Sequence, residues 1–145
     1  MSFLNLEKAT IDELSAVLNE HGVNSEVDDD GDLIVSKDES YSVLKIDDDR
    51  IKFFGIVYIE DKYDQDNLKY FIERMNFVGE ELRFTIMEKT DKKRNKIFYS
   101  TAFIRKGVVD NVYFCSTIDV CFDELVRLKT FIPKIDEALF ERAGA

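Results

Sequence analysis

Apolar residues near the start of the chain recur at helical spacing, with Ile11, Leu14, Val17 and Leu18 on one face of a 3.6-residue period. Thr10-Ile11-Asp12-Glu13 reads as a capping box, the Thr10 hydroxyl placed to accept from the Glu13 backbone N–H. Gly22 offers a left-handed residue at the far end, so the pattern predicts a first helix near 10–21. From residue 24 to 59 the period falls to two. Leu33–Val35, Tyr41–Ile46 and Ile51–Ile59 alternate between turn-forming clusters at 28–32, 37–40 and 47–50. Links this short predict an antiparallel meander, because parallel strands need a crossover of about a dozen residues or more. The 51–59 strand is apolar on both faces and is expected to be central.

Asp64 can cap a second helix, in which Leu68, Phe71, Ile72 and Met75 form one stripe that ends by Asn76. Strand patterning resumes over 82–86, 97–104 and 108–115, joined by the polar loop 90–96 and by Lys106-Gly107. At 100° per residue Ile118, Cys121, Phe122, Leu125, Leu128, Ile132, Ile135, Leu139 and Phe140 cover an arc of about 140°, which predicts an amphipathic closing helix over 119–142. Pro133 inside it predicts a kink or a split, since proline removes a backbone donor and crowds the preceding turn. The expected fold class is α+β: an antiparallel sheet flanked by helices, in the order α-βββ-α-βββ-α, as one domain over 1–145.

Charge sharpens this picture. Residues 1–49 hold 14 acids against 3 bases, whereas residues 50–145 hold 16 against 17, so nearly all of the net charge of −10 sits in the first third. Such a surface repels polyanions, which argues against nucleic acid and anionic membrane as partners and for a basic or amphipathic polypeptide. No apolar stretch approaches the roughly 20 residues of a membrane span, and the start lacks a basic segment followed by an apolar one, so a cytoplasmic location is expected. Cys115 and Cys121 match no zinc or dithiol spacing and are expected to be free, buried thiols.

The candidate chemistry is sparse. Glu26, Asp28, Asp30, Gly31 and Asp32 mimic the opening of a calcium loop, but its twelfth position, where a bidentate glutamate is needed, is Lys37; a hairpin turn is the better reading. His21 is the single histidine, which excludes triads and multi-histidine metal sites. Among 30 acids, neighbours such as Glu80-Glu81 and Asp123-Glu124 are uninformative. There is no glycine-rich phosphate loop or nucleophile elbow, so no catalytic residue, cofactor or metal is assigned. The run Lys92-Lys93-Arg94-Asn95-Lys96 reads as a solvated loop, or as a contact to the acidic first third of a second copy. Twelve Phe and six Tyr exceed what one helical layer requires. The partner-binding candidates are therefore Tyr99, Thr101 and Phe103 on one strand and Leu128, Phe131 and Phe140 on the closing helix.

In this order of elements the chain resembles the YbjN-type domain family, whose members carry a provisional description as bacterial sensory transduction regulators and whose fold is like that of type III secretion chaperones. The resemblance spans roughly residues 8–142. It is carried by Thr10-Ile11-Asp12-Glu13-Leu14 through Gly22, the acidic turn before Leu33-Ile34-Val35, Leu68–Asn76 leading into Leu82-Arg83-Phe84, and the long closing helix. It implies a sheet flanked by helices, a homodimer and the binding of protein segments, with no catalytic residues to carry over. The expectation is a non-catalytic protein-binding module, regulatory or chaperone-like, taking a protein or peptide partner. The alternatives are a dedicated type III secretion chaperone and a small ligand-binding protein or enzyme with a pocket between helices and sheet.

Overall fold

The computed structural model describes residues 2–60, 65–87 and 94–144. Its elements run β1 (Phe3–Asn5), α1 (Ile11–Glu20), β2 (Asn24–Val27), β3 (Leu33–Lys37), β4 (Ser40–Ile46), β5 (Arg50–Glu60), α2 (Gln65–Val78), β6 (Arg83–Ile86), β7 (Arg94–Ile104), β8 (Val108–Asp110) and α3 (Asn111–Gly144). The class is α+β, as the patterning predicts, with β1 added before α1 and β2 added at the start of the meander. Six strands form one sheet in the order β2-β3-β4-β5-β7-β6, and β1 pairs separately with β8. The chain divides into two compact units, one of residues 1–55 and 100–122, the other of residues 56–99 and 123–145; β5, β7 and α3 each run through both.

In the first unit, α1 begins where the capping pattern puts it: Thr10 Oγ1 accepts from the Glu13 N–H at 3.2 Å. It ends at Gly22, whose φ of +80° lets its own N–H donate to the Asn19 carbonyl and that of Val23 to Leu18, the paired bonds of a Schellman cap. The meander β2-β3-β4-β5 is antiparallel throughout, with Glu26 opposite Ile34, Ile34 opposite Val43 and Val43 opposite Phe54. Asp38 and Glu39 both take positive φ, which gives the β3–β4 link the twist that a two-residue hairpin needs. Inward from the sheet, Phe53 meets Phe122 edge-on at 5.4 Å and Phe103 meets Phe114 at 5.0 Å, so the first part of α3 covers one face of β5 and β7.

Residues 108–115 do not form one strand. Only 108–110 pair, and α3 starts at Asn111, because Asp110 Oδ1 accepts from the N–H groups of Val112 (2.7 Å) and Tyr113 (3.4 Å) and so starts a helix. Phe114 and Cys115 then extend the buried stripe through Ile118, Cys121, Phe122, Leu125 and Leu128 at helical spacing. Pro133 does not split α3, which is continuous over 34 residues. Arg94–Lys96 belong to β7 rather than to a loop. Asp64 and the basic residues Lys92 and Lys93 lie outside the described residues.

In the second unit, α2 runs two residues past the expected end, to Val78, and buries Leu68, Phe71 and Met75; Phe84 of β6 meets Tyr99 of β7 at 6.3 Å. No described helix is long and apolar enough to cross a membrane.

Candidate functional site

Alternation along β7 decides which aromatics are offered to solvent. Tyr99 is 3 % exposed and sits in the core of its unit; Thr101 and Phe103 are half-buried, and Phe103 spends its ring on Phe114. In the first unit, the phase of Thr101 and Phe103 is the one that faces α3. The phase reaching water is the other one, Ala102 and Ile104. Leu128 is buried in α3, while Phe131 and Phe140 lie on α3 with side chains outside those described. Of the four candidates whose side chains are described, two are therefore buried and two half-buried, and none is an exposed aromatic.

The structure builds an exposed surface elsewhere, in the first unit. β1 pairs antiparallel with β8, Phe3 opposite Asp110 and Asn5 opposite Val108, which turns Leu4 inward and leaves Phe3 and Val108 as diagonal neighbours on the outer face. The Asn111 N–H donates to the Ser2 carbonyl at 3.0 Å and brings the first turn of α3 against the same strand. Val112 and Tyr113 project from that turn. Phe3, Val108, Val112 and Tyr113, from three elements joined by these backbone bonds, are each 58–63 % exposed. A second apolar row, Ile34, Val43 and Phe54, crosses the face of the meander turned away from α3; each is half-buried. Sequence patterning missed the first surface because β1 is only three residues long and because 108–115 alternates well enough to pass for a strand. Asp110, an N-cap residue type directly before a helical stripe, was the available signal.

The electrostatics around these surfaces are strongly one-sided. The first unit carries 16 acids against 7 bases, the second 14 against 13. Asp28 Oδ1 accepts from the N–H groups of Asp30 and Asp32, and Gly31 has a φ of +81°, so the calcium-like segment is a self-satisfied hairpin turn. Asp47 accepts from Lys52 at 2.6 Å, and that hydrogen bond holds its carboxyl below the usual range. Lys37 is paired with Asp119 at 3.0 Å.

Glu124 is the one fully buried acid among the described residues, 1 % exposed, and both its oxygens are occupied: Oε1 accepts from the N–H of Glu80 (3.0 Å) and Leu82 (3.2 Å), Oε2 from that of Glu81 (3.0 Å). It holds a loop together. Burial, reinforced by the charges of Asp119 and Glu20, pushes the Cys115 thiol up from 9.0 to about 11, and its sulfur donates weakly to the Val17 carbonyl at 3.7 Å. Both cysteines are buried, and neither is in a disulfide. Among the described residues no group of three metal-ligating side chains converges.

No family model matches the sequence, and no curated protein matches it. Among solved structures the chain is similar to YbjN from E. coli, described as a proposed transcription regulator, with a TM-score of 0.68, 13 % identity and 97 % of each chain covered. An identity that low speaks for architecture alone, and the architecture is that of a YbjN-type fold.

Proposed function

We propose that this chain is a non-catalytic protein-binding module that acts in regulation by holding a basic, apolar-bearing segment of another polypeptide. The observation that carries the reading is the surface formed by Phe3, Val108, Val112 and Tyr113, set in a unit with 16 acids and 7 bases. Apolar side chains supply the contact area, and the acidic surroundings select the sign of the partner and speed its approach. The regulatory part of the reading draws support from the description of the similar YbjN structure, and the charge favours a protein over nucleic acid as the thing bound.

Titration with fluorescent amphipathic peptides of equal length and opposite charge tests it. The basic peptide should bind with an affinity that falls as salt rises. Val112→Asp with Tyr113→Ser should weaken it at least about tenfold, equivalent to one strong contact residue, while the urea midpoint stays put. Equal binding of the acidic peptide, or of DNA, would remove the charge argument. Light scattering on the same samples shows whether a second copy is the natural occupant.

A further inference from the structure

The six-stranded sheet ends in β2 and β6, and an edge strand presents backbone groups on which a foreign strand can build. At both ends an asparagine from the last turn of the preceding helix occupies that position. In the first unit, Asn19 of α1 accepts from the Ser25 N–H through Oδ1 at 2.9 Å and donates to the Ser25 carbonyl through Nδ2 at 3.4 Å. In the second, Asn76 of α2 accepts from the Phe84 N–H at 2.8 Å and donates to the Phe84 carbonyl at 3.0 Å. A carboxamide side chain carries the donor and acceptor of one peptide group, so each asparagine makes with one edge residue the two bonds that an antiparallel neighbour would make. The β2 register agrees: Asp28, Glu26 and Asn24 are the positions bonded toward β3, given the Asp28 N–H to Asp32 carbonyl bond, which turns the backbone of Ser25 outward. Ser15 adds a further contact at β2, its hydroxyl 2.9 Å from that of Ser25.

We propose that these two asparagines close both edges of the six-stranded sheet to strand addition, so that neither a peptide nor a second copy extends it. The two closures arise in separate units, from different helices and different local sequences, yet share one geometry. This inference stands whether or not the chain binds basic segments. If it does, the partner is taken on a face and not at an edge.

The test removes the plugs. Amide hydrogen exchange on the wild-type protein should show Ser25 and Phe84 protected at low concentration, where no partner strand is present. In Asn76→Ala the Phe84 amide should exchange at least about tenfold faster, and in Asn19→Ala that of Ser25 should follow, by less. The double variant should gain mass with concentration in sedimentation while wild type does not. Should the alanine variants fail to fold, the near-isosteric Asn19→Asp and Asn76→Asp keep the acceptor, set a carboxylate oxygen against each edge carbonyl, and should open the same edges. Unprotected Ser25 and Phe84 amides in wild type, or a double variant with unchanged exchange and mass, would overturn the proposal. So would a bound peptide whose affinity collapses when its backbone nitrogens are methylated while the edge amides of the protein gain protection.

Discussion

Each unit is held by one charged side chain that collects backbone groups distant in sequence, and the two have opposite signs. In the first unit Arg105 donates to the carbonyls of Leu6 (3.0 Å), Glu7 (2.6 Å), Ala9 (3.4 Å) and Asp47 (3.0 Å), tying the β1–α1 loop and the β4–β5 turn to the end of β7. In the second, Glu124 gathers the three N–H groups of the α2–β6 loop. The guanidinium is half-buried and the carboxylate is sealed. Carbonyls at a rim can turn to water when their donor is lost. N–H groups that lose a sealed acceptor do so less readily, so the three bonds lost with Glu124 should cost the second unit more than the four lost with Arg105 cost the first.

Removing the carboxylate separates them most. Glu124→Ala leaves three N–H groups without their acceptor, that of Leu82 buried and those of Glu80 and Glu81 part-buried, and should cost about 3 kcal/mol, at about 1–3 kcal/mol for each orphaned group with relaxation of the two nearer solvent. Glu124→Gln retains one acceptor oxygen but turns an NH2 toward a donor, and should fall roughly midway. Urea unfolding with an unchanged m-value checks both; a loss under about 1 kcal/mol for the alanine variant would mean that water reaches the loop.

The first unit has a second donor to a distant carbonyl, the Cys115 thiol on Val17, and this one can be switched off by pH. The thiol ionises at about 11 when folded, against 9.0 unperturbed. The folded state therefore holds its proton where the unfolded state has lost it. Stability from this group is intact below pH 9 and drains away as pH rises toward 11, by about 2 kcal/mol once partial screening by water is allowed for. Subtracting the same titration of Cys115→Ala isolates it from the lysines and tyrosines; parallel curves would show that Cys115 contributes nothing.

Arg105→Ala should cost less, about 1.5 kcal/mol, since the carbonyls it frees lie near solvent. Its mark should be local: faster proteolysis and hydrogen exchange over residues 5–9, with the second unit unaffected. Arg105→Lys should not restore protection, because an ammonium cannot span four carbonyls as a guanidinium fork does.

Much of the fold was legible in advance. The Thr10 cap, the Gly22 stop and the meander from 33 to 59 follow from neighbours within a few residues, which is the range over which capping and strand alternation act. What escaped depended on distant partners. β1 exists only because β8 pairs with it, and the helical state of 111–115 depends on Asp110 together with a stripe that continues ten residues on. The site suffered most from this. Choosing Tyr99, Thr101 and Phe103 as the outward phase of β7 required knowing which face α3 covers, and alternation names two faces without ranking them. Glu124 could have been noticed: it lies at the margin of the apolar arc formed by Cys121, Phe122, Leu125 and Leu128, where an acid needs donors close by.

Gly79 offers the finest test of how tightly the second unit's clamp is closed. A Cβ there would stand 2.8 Å from Glu124 Oε1, 3.1 Å from the Leu82 carbonyl and 3.2 Å from that of Met75. The carboxylate would ordinarily swing aside, but three hydrogen bonds hold it in place. Alanine also restricts the unfolded chain, which favours folding by about 0.4–1 kcal/mol. Against an overlap cost of about 2 kcal/mol, the net effect of Gly79→Ala should be a loss of about 1 kcal/mol. In the Glu124→Ala background the nearest obstacle is gone, so the same substitution should become neutral or stabilising. That change of sign, measured in a double-mutant cycle, would tie the need for glycine at 79 to the carboxylate itself; a penalty that persists would assign it to the Leu82 and Met75 carbonyls instead.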